Sequence, residues 1–140
     1  MFRKLLVPVD FTASNQAALA AAASLAAEPD GVEITLLHVI ETLAGVTFEE
    51  EREFYERLEG RARAGMEELA ARLDLPPERV RREVVYGRRA PEVVAYAERE
   101  GCDLIVLSSH RVDPQSAPGS WATLSYSIAV LALCPVLLVK

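Results

Sequence analysis

The chain has only two cysteines, Cys102 and Cys134, far apart and without the spacing that holds a metal or staples a small secreted fold. It also lacks any apolar run near the ~20 residues that a membrane-spanning helix needs. The segment from Met1 to Asp10 has a charged start and a short apolar run but no small-residue cleavage site, and Asp10 arrives too early for a secretory signal. A cytoplasmic protein that does not associate with membranes is therefore expected. Positive charge is in short supply as well. Lys and Arg number 15 against 21 Asp and Glu, a net charge of −6, which argues against a nucleic-acid partner. The local cluster Arg79, Arg81, Arg82, Arg88 and Arg89 reads as a solvated strand edge and loop. No linker or low-complexity tract divides the chain, so residues 1–140 are expected to form a single domain.

What is present is an alternation of strands and helices. Lys4 to Val9 is a continuous apolar strand of the kind buried on both faces. Asp10-Phe11-Thr12 forms its exit, and Thr12 is placed to cap an alanine-rich helix from Ala13 through Leu25. Val32 to Val39 reads as a second strand. Tyr55, Leu58, Ala62, Met66, Leu69 and Leu73 then fall on one face of a long charged helix. Val80 to Tyr86 is a third strand, whose polar positions suit a sheet edge. Pro91 sits in the first turn of the next helix, and Leu104 to Leu107 is a fourth strand. A long segment from Ser108 to Trp121, a last helix and the closing strand from Cys134 to Val139 complete the pattern.

Such alternation predicts an α/β fold, an open five-stranded parallel sheet with helices on both faces, Rossmann-like in architecture. The most apolar strands, Lys4–Val9 and Leu104–Leu107, belong at its centre. A ligand crevice is expected at their carboxyl ends, where Asp10, Val39 and Ser108-Ser109-His110 would share one rim. Since the sequence ends one residue past the last strand, the site is expected to draw on earlier strand ends. His38, inside the second strand, reads as a satisfied core histidine. No catalytic set emerges: Ser108-Ser109-His110 are adjacent residues rather than a triad, and no nucleophile elbow is present. No metal site emerges either.

Four segments in order carry a resemblance. Leu5-Leu6-Val7-Pro8-Val9-Asp10-Phe11-Thr12, Leu36-Leu37-His38-Val39, Val84 to Gly87 followed by Cys102 to Leu107, and Cys134-Pro135-Val136-Leu137-Leu138-Val139 are together similar to the universal stress protein family over the whole length. The resemblance implies the adenine nucleotide α-hydrolase-like form of the fold. It implies a non-enzymatic stress-response or regulatory protein and a homodimer formed through Pro135 to Val139. It also implies an ATP site that includes the turn Pro8-Val9-Asp10, with Asp10 near the ribose or a metal, Val39 at the adenine and Thr123 at the phosphates.

The ATP-binding members carry Gly-x2-Gly-x9-Gly-[Ser/Thr] before the last helix. Those glycines let backbone N–H groups approach phosphate oxygens. Here Ser108, Arg111 and Ala122 stand at the three glycine positions, and the loop has gained one residue. Pro114 and Pro118 each remove a backbone donor, and Trp121 reads as a plug over the cleft. Three readings follow. A dimeric module with weak or no ATP binding leads, followed by an adenine-nucleotide regulator with a modified loop, in which Arg111 reaches the phosphate. A hydrolase comes last.

Overall fold

The computed structural model describes residues 2–27, 31–109, 114–115 and 123–140. Five strands form one parallel sheet: β1 (Lys4–Pro8), β2 (Glu33–Glu41), β3 (Val80–Gly87), β4 (Leu104–Ser108) and β5 (Val136–Val139). Four helices alternate with them: α1 (Asn15–Ala26), α2 (Arg52–Arg72), α3 (Arg89–Glu100) and α4 (Leu124–Leu131). The strand order is β3-β2-β1-β4-β5, which puts β1 at the centre and makes β3 and β5 the edges. The expected fold class, the central pair and the edge position of the third strand are all observed.

Strand periodicity decides which layer each side chain joins. Leu5 and Val7 of β1, Leu36 of β2 and Val106 of β4 face α1 and α2, where Ala18, Ala22, Met66 and Leu69 cover them. Leu6, Leu37, Ile105 and Leu107 point the other way, toward Val93, Tyr96 and Ile128 of α3 and α4. The alanines of α1 let that helix lie close to the sheet, and Ala22 is fully buried. The face foreseen for α2 is observed, with Tyr55, Ala62, Met66 and Leu69 buried. Gly101 ends α3 with φ +69°, and its N–H meets the carbonyls of Ala97 and Glu98, the left-handed cap that glycine suits best.

One local expectation differs, and another holds in part. The first helix begins at Asn15, and Thr12 does not cap it; the Thr12 hydroxyl instead donates to Asp10 at 2.6 Å and pairs with Ser14. In the arginine cluster Arg81, Arg82, Arg88 and Arg89 are exposed as expected, and Arg79 alone is part-buried. Arg79 reaches across to the carbonyls of Val32 and Ala26, Arg82 pairs with Glu67, and Arg89 lies at the rim of the sheet.

Candidate functional site

Strand order reverses at β1: the chain steps outward through β2 and β3, then returns to the other side of β1 with β4. The carboxyl ends of β1 and β4 therefore open into a crevice, the general ligand position in open α/β sheets. A cavity of about 190 Å³ lies there. Its walls include Pro8, Val9 and Asp10 after β1, His38 and Val39 of β2, Arg89 of α3, Ser108 of β4, and Thr123 and Ser125 at the start of α4.

Six of the ten residues expected at the site thus meet at one cavity: Pro8, Val9, Asp10, Val39, Ser108 and Thr123. Ser109 lines the neighbouring depression with Tyr126 and Lys140, and its hydroxyl accepts a hydrogen bond from Lys140 Nζ at 3.3 Å. His110, Arg111 and Ala122 lie outside the described residues, as do Pro118 and Trp121.

Sequence reasoning missed four polar wall residues: Ser14, Asn15, Arg89 and Ser125. Asn15 organises the exit of β1. Its side-chain oxygen accepts the backbone N–H groups of both Asp10 and Phe11 at 2.9 Å. This bond holds Phe11 in the left-handed region, φ +65°, where an ordinary residue is uncommon. Phe11 then rests on the His38 ring, centroids 4.6 Å apart, and against Gly65 of α2, where an added Cβ would meet the ring at 2.8 Å. An Asn four residues after Phe11, at the start of a helix, was the available signal.

His38 is satisfied as foreseen, by a 2.8 Å contact between Nδ1 and the Val9 carbonyl, yet it also faces the cavity. Burial pushes the Asp10 carboxyl up. Hydrogen bonds from the Thr12 side chain and backbone N–H, with the Arg89 charge, more than offset that and leave it below its ordinary 3.8. A carboxyl lowered by folding stabilises the folded state above its ordinary value, and that contribution is lost as pH falls through the lower folded value.

The remaining polar groups are largely occupied by the protein itself. The Ser108 hydroxyl accepts from the Ala18 N–H at 3.1 Å. The Thr123 hydroxyl caps α4 by accepting from the Tyr126 N–H at 3.3 Å, and it pairs with Ser125 at 3.0 Å. None of the cavity hydroxyls is paired with His38, so the described residues assemble no nucleophile and base. Away from the rim, Cys102 and Cys134 are both free thiols. Burial, and after it the neighbouring Cys134, push the Cys102 thiol up to about 11.

A Rossmann-ordered sheet with a polar crevice at the end of β1 and an open apolar edge at β5 defines a class of small nucleotide-fold proteins. The universal stress protein family model matches residues 1–140, and the chain belongs to that family. Universal stress protein YxiE of Bacillus subtilis is 30% identical over 152 residues, covering the whole of both chains. The solved structure of MJ0577, whose Methanocaldococcus jannaschii source sequence is a universal stress protein, superposes with a TM-score of 0.81 at 28% identity, covering 100% of this chain and 96% of that one. A universal stress protein solved in complex with cAMP shares the fold, with a TM-score of 0.72 at 16% identity over 99% of this chain and 97% of that one. Among the described residues no helix is long and apolar enough to cross a membrane.

Replacing Asn15 with Ala strands two part-buried N–H groups, at about 1–3 kcal/mol for each unsatisfied group. The urea midpoint should fall accordingly with little change in slope. A loss within about 0.5 kcal/mol, the range of an ordinary surface substitution, would show that Asn15 does not hold the rim.

Proposed function

We propose that this chain is a non-enzymatic, homodimeric regulatory module of the stress response, acting in the cytoplasm as one domain, and that it binds ATP weakly or not at all. The observation that carries the proposal is the occupation of the rim. Thr123, at the position the family uses for phosphate, spends its hydroxyl on its own helix, and Ser108 stands with its hydroxyl bonded to α1 where a glycine would leave the backbone open. The cavity, about 190 Å³, also falls below the roughly 300–1,000 Å³ usual for small-molecule sites.

Arg89 favours the second reading, an adenine-nucleotide regulator. The residue lines the cavity, and its ion pair with Glu41 is exposed and long, 3.7 Å, so it holds the side chain only weakly. A relative holding cAMP gives that reading a precedent in the fold.

The two sheet edges support the dimer. Edge β3 carries exposed Arg81 and Arg82, charges that discourage strand pairing. Edge β5 presents Leu137, and beside it Tyr126, Val130, Leu131 and Leu133 are exposed, Leu133 by 81%. Exposed apolar residues on and near a strand at the edge of the sheet suit an isologous contact between two copies around a twofold axis.

A ligand at 100 times its dissociation constant stabilises the fold by about 2.7 kcal/mol. With an unfolding entropy of about 2.1 cal/mol/K per residue, 140 residues convert that into a rise of about 9 °C. Millimolar Mg-ATP should produce no shift of that size. A rise near it, abolished by Asp10→Ala, would favour the second reading instead. For the dimer, Leu137→Lys should give a monomer in sedimentation equilibrium at micromolar concentration, whereas a wild-type monomer would refute the pairing.

A further inference from the structure

The two cysteines, distant in the sequence, meet in the fold. Cys102 follows the glycine that ends α3, and its N–H is held by the Ala97 carbonyl at 2.9 Å. Cys134 precedes Pro135, whose carbonyl accepts the Ile105 N–H at 3.0 Å. Ile105 and Val136 are register partners, so Cys134 falls beside Asp103, one residue from Cys102, where the chain enters β4 and β5. Paired strands lie about 4.8 Å apart. Both cysteines join the apolar layer under α3 and α4, and both line one cavity of about 200 Å³ with Val94, Ala97, Ile105 and Leu133. This cavity shares no residue with the rim crevice.

We propose that Cys102 and Cys134 form a two-thiolate site for a soft, thiophilic metal ion of the copper(I) class. Thiolate sulfur selects soft cations. The cavity wall is mostly apolar, and Glu98 is the one carboxylate that lines it. A closed zinc site requires four ligands, and among the described residues no group of three or more His, Cys, Asp or Glu side chains is placed to hold a metal. Two cysteines lining one cavity supply the two sulfur donors that a two-coordinate ion needs. Binding replaces the two thiol protons, which pass to solvent, with two metal–sulfur bonds; copper(I) stays copper(I), and no electron moves. The complex carries one negative charge, which the Lys4 ammonium favours and the Asp103 and Glu100 carboxylates oppose.

The test is anaerobic titration of the reduced full-length chain with copper(I), in competition with a chromogenic copper(I) chelator. The wild-type chain should withdraw one copper(I) per chain. Cys102→Ala and Cys134→Ala should each weaken retention by roughly 10²–10⁴-fold, the usual advantage of two tethered ligands over one. Glu98→Gln, at a carboxylate that also lines the cavity, should retain the metal, because the oxygen is not a ligand. Cys134 is only half-buried, so Cys134→Ala carries the test even if Cys102→Ala fails to fold. No withdrawal by the wild-type chain, or retention that survives the loss of both cysteines, overturns the site.

Discussion

Both ends of the central strand are held by a side chain that takes two backbone N–H groups, and the placement of the rim depends on that arrangement. At the entrance to β1, the Asp103 carboxylate accepts from Arg3 and Lys4, at 2.9 to 3.1 Å, and ties the start of β1 to the start of β4. At the exit, Asn15 does the same for Asp10 and Phe11. Between them Leu5, Leu6 and Val7 are at most 1% exposed and covered on both faces. A strand buried in this way cannot slip by one residue without turning each core side chain toward the wrong layer. With β1 fixed, the ends of β2 and β4 are fixed beside it, and the crevice opens where strand order reverses.

The same devices that secure the rim use up its polar groups. A site that binds phosphate through the backbone must leave N–H groups unpaired and free of Cβ atoms until the ligand arrives. Here Ser108 and Asn15 satisfy backbone donors of α1 and of the β1 exit, and Thr123 satisfies α4. Asp10 and Arg89, opposite charges at one small cavity, are also engaged, Asp10 by Thr12 and Arg89 by Glu41. Strain is present too, since Phe11 adopts a left-handed conformation that only its packing and the Asn15 bonds maintain. The family fold is thus retained, and the hydroxyls of Ser108 and Thr123 at its crevice are bonded within the protein.

The layer plan was legible in the sequence because burial on both faces produces unbroken apolar runs, as in Leu5-Leu6-Val7 and Leu104-Ile105-Val106-Leu107. The edge position of β3 was legible for the opposite reason, its arginines. Pro8, Val9, Asp10, Val39, Ser108 and Thr123 reach one cavity because parallel alternation sends the carboxyl ends of the strands to one side of the sheet. Long-range side-chain bonding was not legible. Nothing local in Arg89 distinguishes it from Arg88, yet one helical position turns it toward Asp10. Thr12 looked like a cap by residue type, but the hydroxyl found a closer acceptor in Asp10. The two cysteines have no spacing signature because packing under α3 and α4, not sequence distance, brings both to one cavity.

The central proposal is that the described polar groups of the rim are satisfied from within and that ATP binds weakly or not at all. It is tested most directly by what the native protein carries when isolated. Heat-denaturing the purified chain and measuring the absorbance and mass of the released supernatant should reveal no stoichiometric nucleotide. An adenine nucleotide recovered at about one per chain would mean a dissociation constant well below cellular nucleotide levels, and would contradict the account.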